Sequence, residues 1–211
     1  MQLPTITVIP NFLDDIAYGE VSEFAMTHPN LFQPSATTDN RPDLRQSSIM
    51  YNFPFEQSIK EKLNNALPTI LSQLQLLPFP IEKTENQLTA TGNEGFYSIH
   101  NDNGSAQCAM RLLSYVYYCH ANPKRFRGGE LKVYGHEEIT YEPVHNELVC
   151  FSASHQHEVL PVSNNGKWEN SRFTINGWFT MGSFGHVPEL PIDDLPEMPL
   201  QEMATNFGAI S

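Results

Sequence analysis

From Asn86 onward the chain is a succession of short runs rich in Val, Ile, Thr, Tyr, Phe and Trp, parted by Gly, Pro, Asn and Asp. Runs this short cannot build long helices, but each can supply a strand of an antiparallel sheet. Strand signals fall at 87–91, 96–101, 110–119, 130–134, 139–142, 148–151, 157–162 and 172–180. Eight short strands with turn chemistry between them point to a mainly β domain of jelly-roll type. The N-terminal part differs. A strand over 6–9 precedes a helix over 16–26 that Asp14 or Asp15 can cap, and Pro29 helps to end it. Residues 30–42 read as a loop and 46–53 as extended chain. Ile59, Leu63, Leu67, Ile70 and Leu74 recur at helical spacing, which predicts a second helix over 56–77 that Pro68 must kink or divide. These helices would buttress the sheet.

His100 and Asp102 stand two apart at the end of a strand-like segment, so both side chains leave the same face. His157, opening the later run 157–162, can supply a third ligand to make the two-histidine, one-carboxylate set of non-heme Fe(II) sites. His155 competes for this role if its strand begins early, although the apolar run starts at His157. Three protein ligands on one face of an octahedral ion leave two positions for a chelating 2-oxo acid and one for dioxygen. The far carboxylate of that acid needs a cation. Arg172 can hold it through two parallel hydrogen bonds, and Thr174, two residues on and on the same face, can add a hydroxyl.

These blocks, in this order, resemble the prolyl 4-hydroxylase-like branch of the 2-oxoglutarate- and Fe(II)-dependent dioxygenases. The likeness is carried by the stretch 97–103 around His100 and Asp102, by 111–118, by Gly128-Gly129-Glu130-Leu131, by 157–162 and by 172–179. It covers about residues 95 to 180 and implies a double-stranded β-helix. By this resemblance His100, Asp102 and His157 would ligate iron, and Arg172 would anchor 2-oxoglutarate with help from the Tyr118 phenol. Thr174 stands near that anchor without a fixed family role. Fe(II), 2-oxoglutarate and O2 are the implied cofactors, with ascorbate allowed as a reductant. The implied reaction is hydroxylation of an aliphatic C–H bond with release of succinate and CO2. A prolyl or other amino-acid residue of a protein or peptide is the expected substrate. A free amino acid or a natural-product intermediate is the alternative, and a non-catalytic jelly-roll module binding metal or a 2-oxo acid is a third reading. The chain departs from the family at Cys119-His120, where Leu-Asn is usual.

With 211 residues, residues 1–182 are expected to form one domain, with a helical buttress over about 12–77 and a jelly-roll core over about 86–180. Residues 183–211 are acidic and proline-rich, suited to a strap over the domain or to a partner-binding tail. The formal net charge of −12 speaks against nucleic acid and anionic membranes as partners. No apolar run approaches the roughly 18 residues of a membrane span, and there is no secretory leader pattern, so a cytoplasmic protein is expected. Three widely spaced cysteines in apolar contexts, Cys108, Cys119 and Cys150, suit reduced thiols. Oligomeric state is not encoded in any of these features.

Overall fold

The computed structural model describes residues 3–35 and 43–182. The segment 183–211 and part of the predicted loop, 36–42, lie outside the described residues. In chain order the elements are β1 (Ile6–Ile9), α1 (Asp15–Thr27), β2 (Gln33–Pro34), β3 (Arg45–Gln46), β4 (Ser48–Met50), α2 (Glu56–Gln73), β5 (Ile81–Thr91) and β6 (Phe96–His100). They continue with β7 (Arg111–Tyr118), β8 (Arg127–Gly128), β9 (Leu131–Tyr134), β10 (Glu138–Tyr141), β11 (Leu148–Ser152), β12 (Gln156–Val159), β13 (Val162–Ser163) and β14 (Arg172–Met181).

Two antiparallel sheets face each other as a jelly roll. The larger runs β1-β11-β7-β14-β5-β4-β2, the smaller β10-β9-β12-β6-β3, and β13 pairs with β8 as a separate ribbon. Alternation along β7 explains the layering. Leu113, Tyr115 and Tyr117 point to the helix side, where they join Ile59, Leu63 and Ile70 of α2 and Val21 and Ala25 of α1 in one buried cluster. Val116 and Tyr118 point the other way and pack with Leu131 and Val133 of the smaller sheet and with Val149 and Phe151. The central strand is therefore buried on both faces and reads as a nearly continuous apolar run.

α1 begins where the sequence places it. The Asp14 carboxylate accepts from the backbone N–H groups of Ile16 (3.1 Å) and Ala17 (2.9 Å). α2 is one continuous helix containing Pro68, not two, and it stops four residues before the expected end. Gln75 takes a left-handed conformation (φ 55°) and Leu76 N–H bonds back to the Leu71 carbonyl (2.9 Å), a terminating geometry that apolar spacing alone does not reveal. The expected strand 157–162 is broken in two. Pro161 has no N–H to continue the ladder and its carbonyl instead accepts from Gly129 (3.2 Å), so Val162 leaves for β8.

Candidate metal centre and cosubstrate pocket

β6 and β12 are neighbours in the smaller sheet, and their register sets His100 directly opposite His157. Directly opposed residues of an antiparallel pair share a face, so the two imidazoles converge, with ring centroids 4.2 Å apart. The strand ends at His100, and Asp102 stands just beyond it, pinned where its backbone N–H meets the Ala153 carbonyl (3.0 Å). One donor atom from each of His100, Asp102 and His157 lies within 4.8 Å of the others. His157 Nε2 is 3.3 Å and His100 Nε2 is 3.7 Å from the Asp102 carboxylate.

The tautomers follow from the partners. His100 Nδ1 lies 2.7 Å from the Ser98 carbonyl and His157 Nδ1 lies 3.0 Å from the His155 carbonyl. A carbonyl only accepts, so both Nδ1 atoms carry a proton and both Nε2 atoms are turned toward Asp102. Burial, reinforced by the adjoining His157, pushes the pKa of His100 down to about 4 against the pull of Asp102, so this imidazole is neutral at neutral pH. Burial alone would raise the Asp102 carboxyl, but hydrogen bonding and charge from His157, with His100 and the Ser114 hydroxyl, outweigh it and hold the group well below the usual range. Two imidazoles presenting Nε2 and one ionised carboxylate fit a divalent transition-metal ion such as Fe(II). Their Nδ1 hydrogen bonds are the outer contacts that fix ligating rings.

His155 takes no part through its side chain. It lies in the turn before β12, and only its carbonyl serves the centre. Ser114, which the sequence analysis did not single out, reaches across from β7 and donates to Asp102 Oδ2 at 2.5 Å. An outer contact of this kind governs metal affinity, so Ser114→Ala is expected to weaken iron binding by roughly 10–100-fold while the protein still folds. Calorimetric iron titration checks this.

The centre opens into a cavity of about 640 Å³ between the sheets. Its wall includes Arg172, Thr174 and Asn176 of β14 and Gln87, Thr89 and Thr91 of β5. Cross-strand pairing brings Arg172 beside Thr91, Thr174 beside Thr89 and Asn176 beside Gln87, which explains this polar row on an otherwise apolar sheet. Arg172 is 2% exposed. Its Nε donates to the Gly129 carbonyl (2.8 Å) and its Nη2 to the Tyr118 hydroxyl (3.3 Å), yet no carboxylate of the described residues pairs with it. Gly129 adopts φ +73°, and a Cβ there would lie 2.8 Å from Arg172 Cδ. A side chain at Gly129 would thus collide with the stem of Arg172. Tyr118 is fully buried behind Arg172 and does not itself line the cavity. Thr174 does line it, and its hydroxyl donates to Asn176 Oδ1 (3.4 Å).

His120 is 1% exposed, packed edge-on to Phe126 and Tyr118, and both its ring nitrogens lack a partner among the described residues. Burial, and then the charge of Arg172, push its pKa from 6.5 down to about 3. The unfolded chain therefore binds the proton first, so this group's contribution to stability is complete above about pH 6.5 and is lost as pH falls toward 3. In thermal melts between pH 7 and 4, His120→Gln is expected to lose less stability on acidification than the natural protein does.

Comparison with known proteins gives the same answer as the geometry. Residues 86–180 match the model of the 2OG-Fe(II) oxygenase superfamily. An uncharacterized PKHD-type hydroxylase of Synechocystis sp. is 34% identical over 185 residues, which span 81% of this chain and 61% of that relative. The chain thus spans about six-tenths of the length of the curated relative that it matches. Among solved structures, a Pseudomonas putida prolyl-4-hydroxylase superposes with a TM-score of 0.66 at 22% identity, covering 84% of this chain and 93% of that one. A Trichoplax adhaerens prolyl hydroxylase, solved with a hypoxia inducible factor peptide fragment, superposes at 0.64 and 19% identity, covering 84% of each. These two share the jelly-roll fold described above. Over residues 86–180 the family match and the assembled centre agree, and this part of the chain resembles the 2OG-Fe(II) oxygenase superfamily.

Proposed function

We propose that the protein is an Fe(II)- and 2-oxoglutarate-dependent dioxygenase that hydroxylates an aliphatic C–H bond, of a prolyl or other amino-acid residue in a protein or peptide. The observation that carries this reading is the convergence of His100, Asp102 and His157 in the same cavity as a buried guanidinium that has no carboxylate partner among the described residues. His100 and His157 would hold the metal through Nε2 and Asp102 through a carboxylate oxygen. A buried arginine without a counter-anion is costly, and the distal carboxylate of 2-oxoglutarate supplies one. Two donor positions of Arg172 are already spent on Gly129 and Tyr118, which fix the plane of the fork and leave its remaining N–H groups for the cosubstrate. Thr174 contributes indirectly, by orienting Asn176 on the same wall. The chemistry that the metal and its cosubstrate supply is oxidative decarboxylation to succinate and CO2 coupled to insertion of one oxygen atom into the C–H bond. The chain's own part is alignment and shielding: Phe151 lies edge-on to His157 and Tyr97 stacks on His100, so both ligating rings are held from behind.

A peptide substrate is favoured because a structural neighbour was solved with one. A cytoplasmic setting fits the three free cysteines, and no helix among the described residues is long and apolar enough to cross a membrane. The acidic balance argues for a partner other than nucleic acid. Residues 1–182 are proposed to act as one catalytic domain. The test is aerobic incubation of iron-loaded protein with 2-oxoglutarate and a panel of peptides and amino acids. Succinate release together with the gain of one oxygen atom by a panel member is expected; a folded, iron-loaded protein that consumes no 2-oxoglutarate would refute the reading.

A further inference from the structure

The charges lining the cavity do not cancel. Among the described residues its formally charged side chains are Arg45, Glu85, Asp102, Arg111 and Arg172, three cations against two anions. Arg111 and Glu85 neutralise each other as a fork, with Nε at 3.1 Å and Nη2 at 3.0 Å from the two carboxylate oxygens. Under the function proposed above, a ferrous ion and a dianionic 2-oxoglutarate add equal and opposite charge, taken up by Asp102 and Arg172. Among the described residues one positive charge is left over in the loaded site, and it sits on Arg45.

Arg45 is held in place without a carboxylate partner among the described residues. It stands opposite Tyr97 where β3 pairs with β6, and its guanidinium carbon lies 4.8 Å from the centre of the Tyr97 ring, which stacks at 3.5 Å on His100. Its Nε donates to the Ser47 hydroxyl (2.8 Å), and Ser47 is fixed in turn by donating to Ser35 (2.9 Å). None of the ion pairs among the described residues involves Arg45. A cation over one aromatic face, tethered at one nitrogen and one ring away from the ligand His100, lines the cavity with no further hydrogen-bond partner among the described residues. The same lining includes the exposed Tyr51 and Ile99 (58% and 50%).

We propose that the substrate of this site carries a carboxylate and that Arg45 receives it, which sets the C–H bond to be oxidised a few bonds from that group. A single surplus charge matches a monoanion such as a carboxylate better than a phosphate dianion. The carboxylate has two sources, the α-carboxylate of a free amino acid or an acidic side chain beside the modified residue of a peptide.

The test uses matched pairs on the iron- and 2-oxoglutarate-loaded protein: the common amino acids with their amides, and acetyl-Xaa-Glu-amide dipeptides with their Gln counterparts. Affinity is read by anaerobic calorimetry and oxygen gain by mass spectrometry in air. In one of the two series the carboxylate member is expected to bind at least about tenfold more tightly than its amide, as a charge-assisted fork would give, and to be the member that gains oxygen. The series identifies the source. In Arg45→Gln that ratio should fall to about one, whereas Arg45→Lys should keep part of it. Equal binding of acid and amide, discrimination that survives in Arg45→Gln, or no binding by any carboxylate to a protein shown to be loaded would each overturn the proposal. Failure to load iron and 2-oxoglutarate at all would instead strike the underlying assignment of function.

Discussion

Replacing His157 by alanine is expected to abolish stoichiometric iron binding and, with it, all 2-oxoglutarate turnover. The variant removes one of three donors and leaves Asp102 without its nearest imidazole, the 3.3 Å partner whose hydrogen bond and charge help to hold that carboxyl ionised. Loss of an outer contact to a ligand costs roughly 10–100-fold in metal affinity, so loss of a ligand itself should exceed about 100-fold. Metal content after dialysis against a known free iron concentration measures it directly. His155→Ala is the contrast. Its carbonyl, the part that orients His157, survives the substitution, so iron should remain bound. Iron retained in His157→Ala, or lost in His155→Ala with the fold intact, would reverse the assignment made here.

The second large effect is expected at Arg172. Arg172→Gln keeps a polar side chain but removes the charge and the fork, interactions worth about 1.5–3 kcal/mol for each charge-assisted bond. The KM for 2-oxoglutarate should therefore rise by roughly 100-fold while iron affinity changes little, since Arg172 bonds to Gly129 and Tyr118 and not to a metal donor. Lysine is not a conservative replacement at this position. A point charge cannot hold both the Gly129 carbonyl and a carboxylate in the geometry of a planar fork. Steady-state succinate formation against 2-oxoglutarate concentration, beside an iron titration, separates the two quantities. Unchanged KM would mean that the acid is anchored elsewhere.

What the sequence discloses is whatever rests on local periodicity. A nearly continuous apolar run marks β7, two-residue alternation marks β14, helical spacing marks α2, and the pairing of His100 with Asp102 is visible because their separation matches the period of a strand. Register is not local. That His157 stands opposite His100 depends on which strands become neighbours, and the family resemblance supplied what residue patterns alone left open between His155 and His157. Ser114 escaped notice for the same reason: a lone serine in an apolar strand carries no signal until the two sheets face each other and bring it to Asp102. Arg45 fell between the predicted loop 30–42 and the extended run 46–53, and its stack on Tyr97 is a cross-strand contact between residues 52 positions apart. The early end of α2 is different in kind. It arises from a backbone choice at Gln75, a residue type with no strong preference for the left-handed region.

The central claim is that three side chains assemble a ferrous site able to chelate a 2-oxo acid beside Arg172. Anaerobic titration of the iron-loaded protein with 2-oxoglutarate tests it most directly. A visible metal-to-ligand charge-transfer band that saturates at one equivalent of cosubstrate is the expected result. A folded, iron-loaded protein that develops no such band would contradict the account.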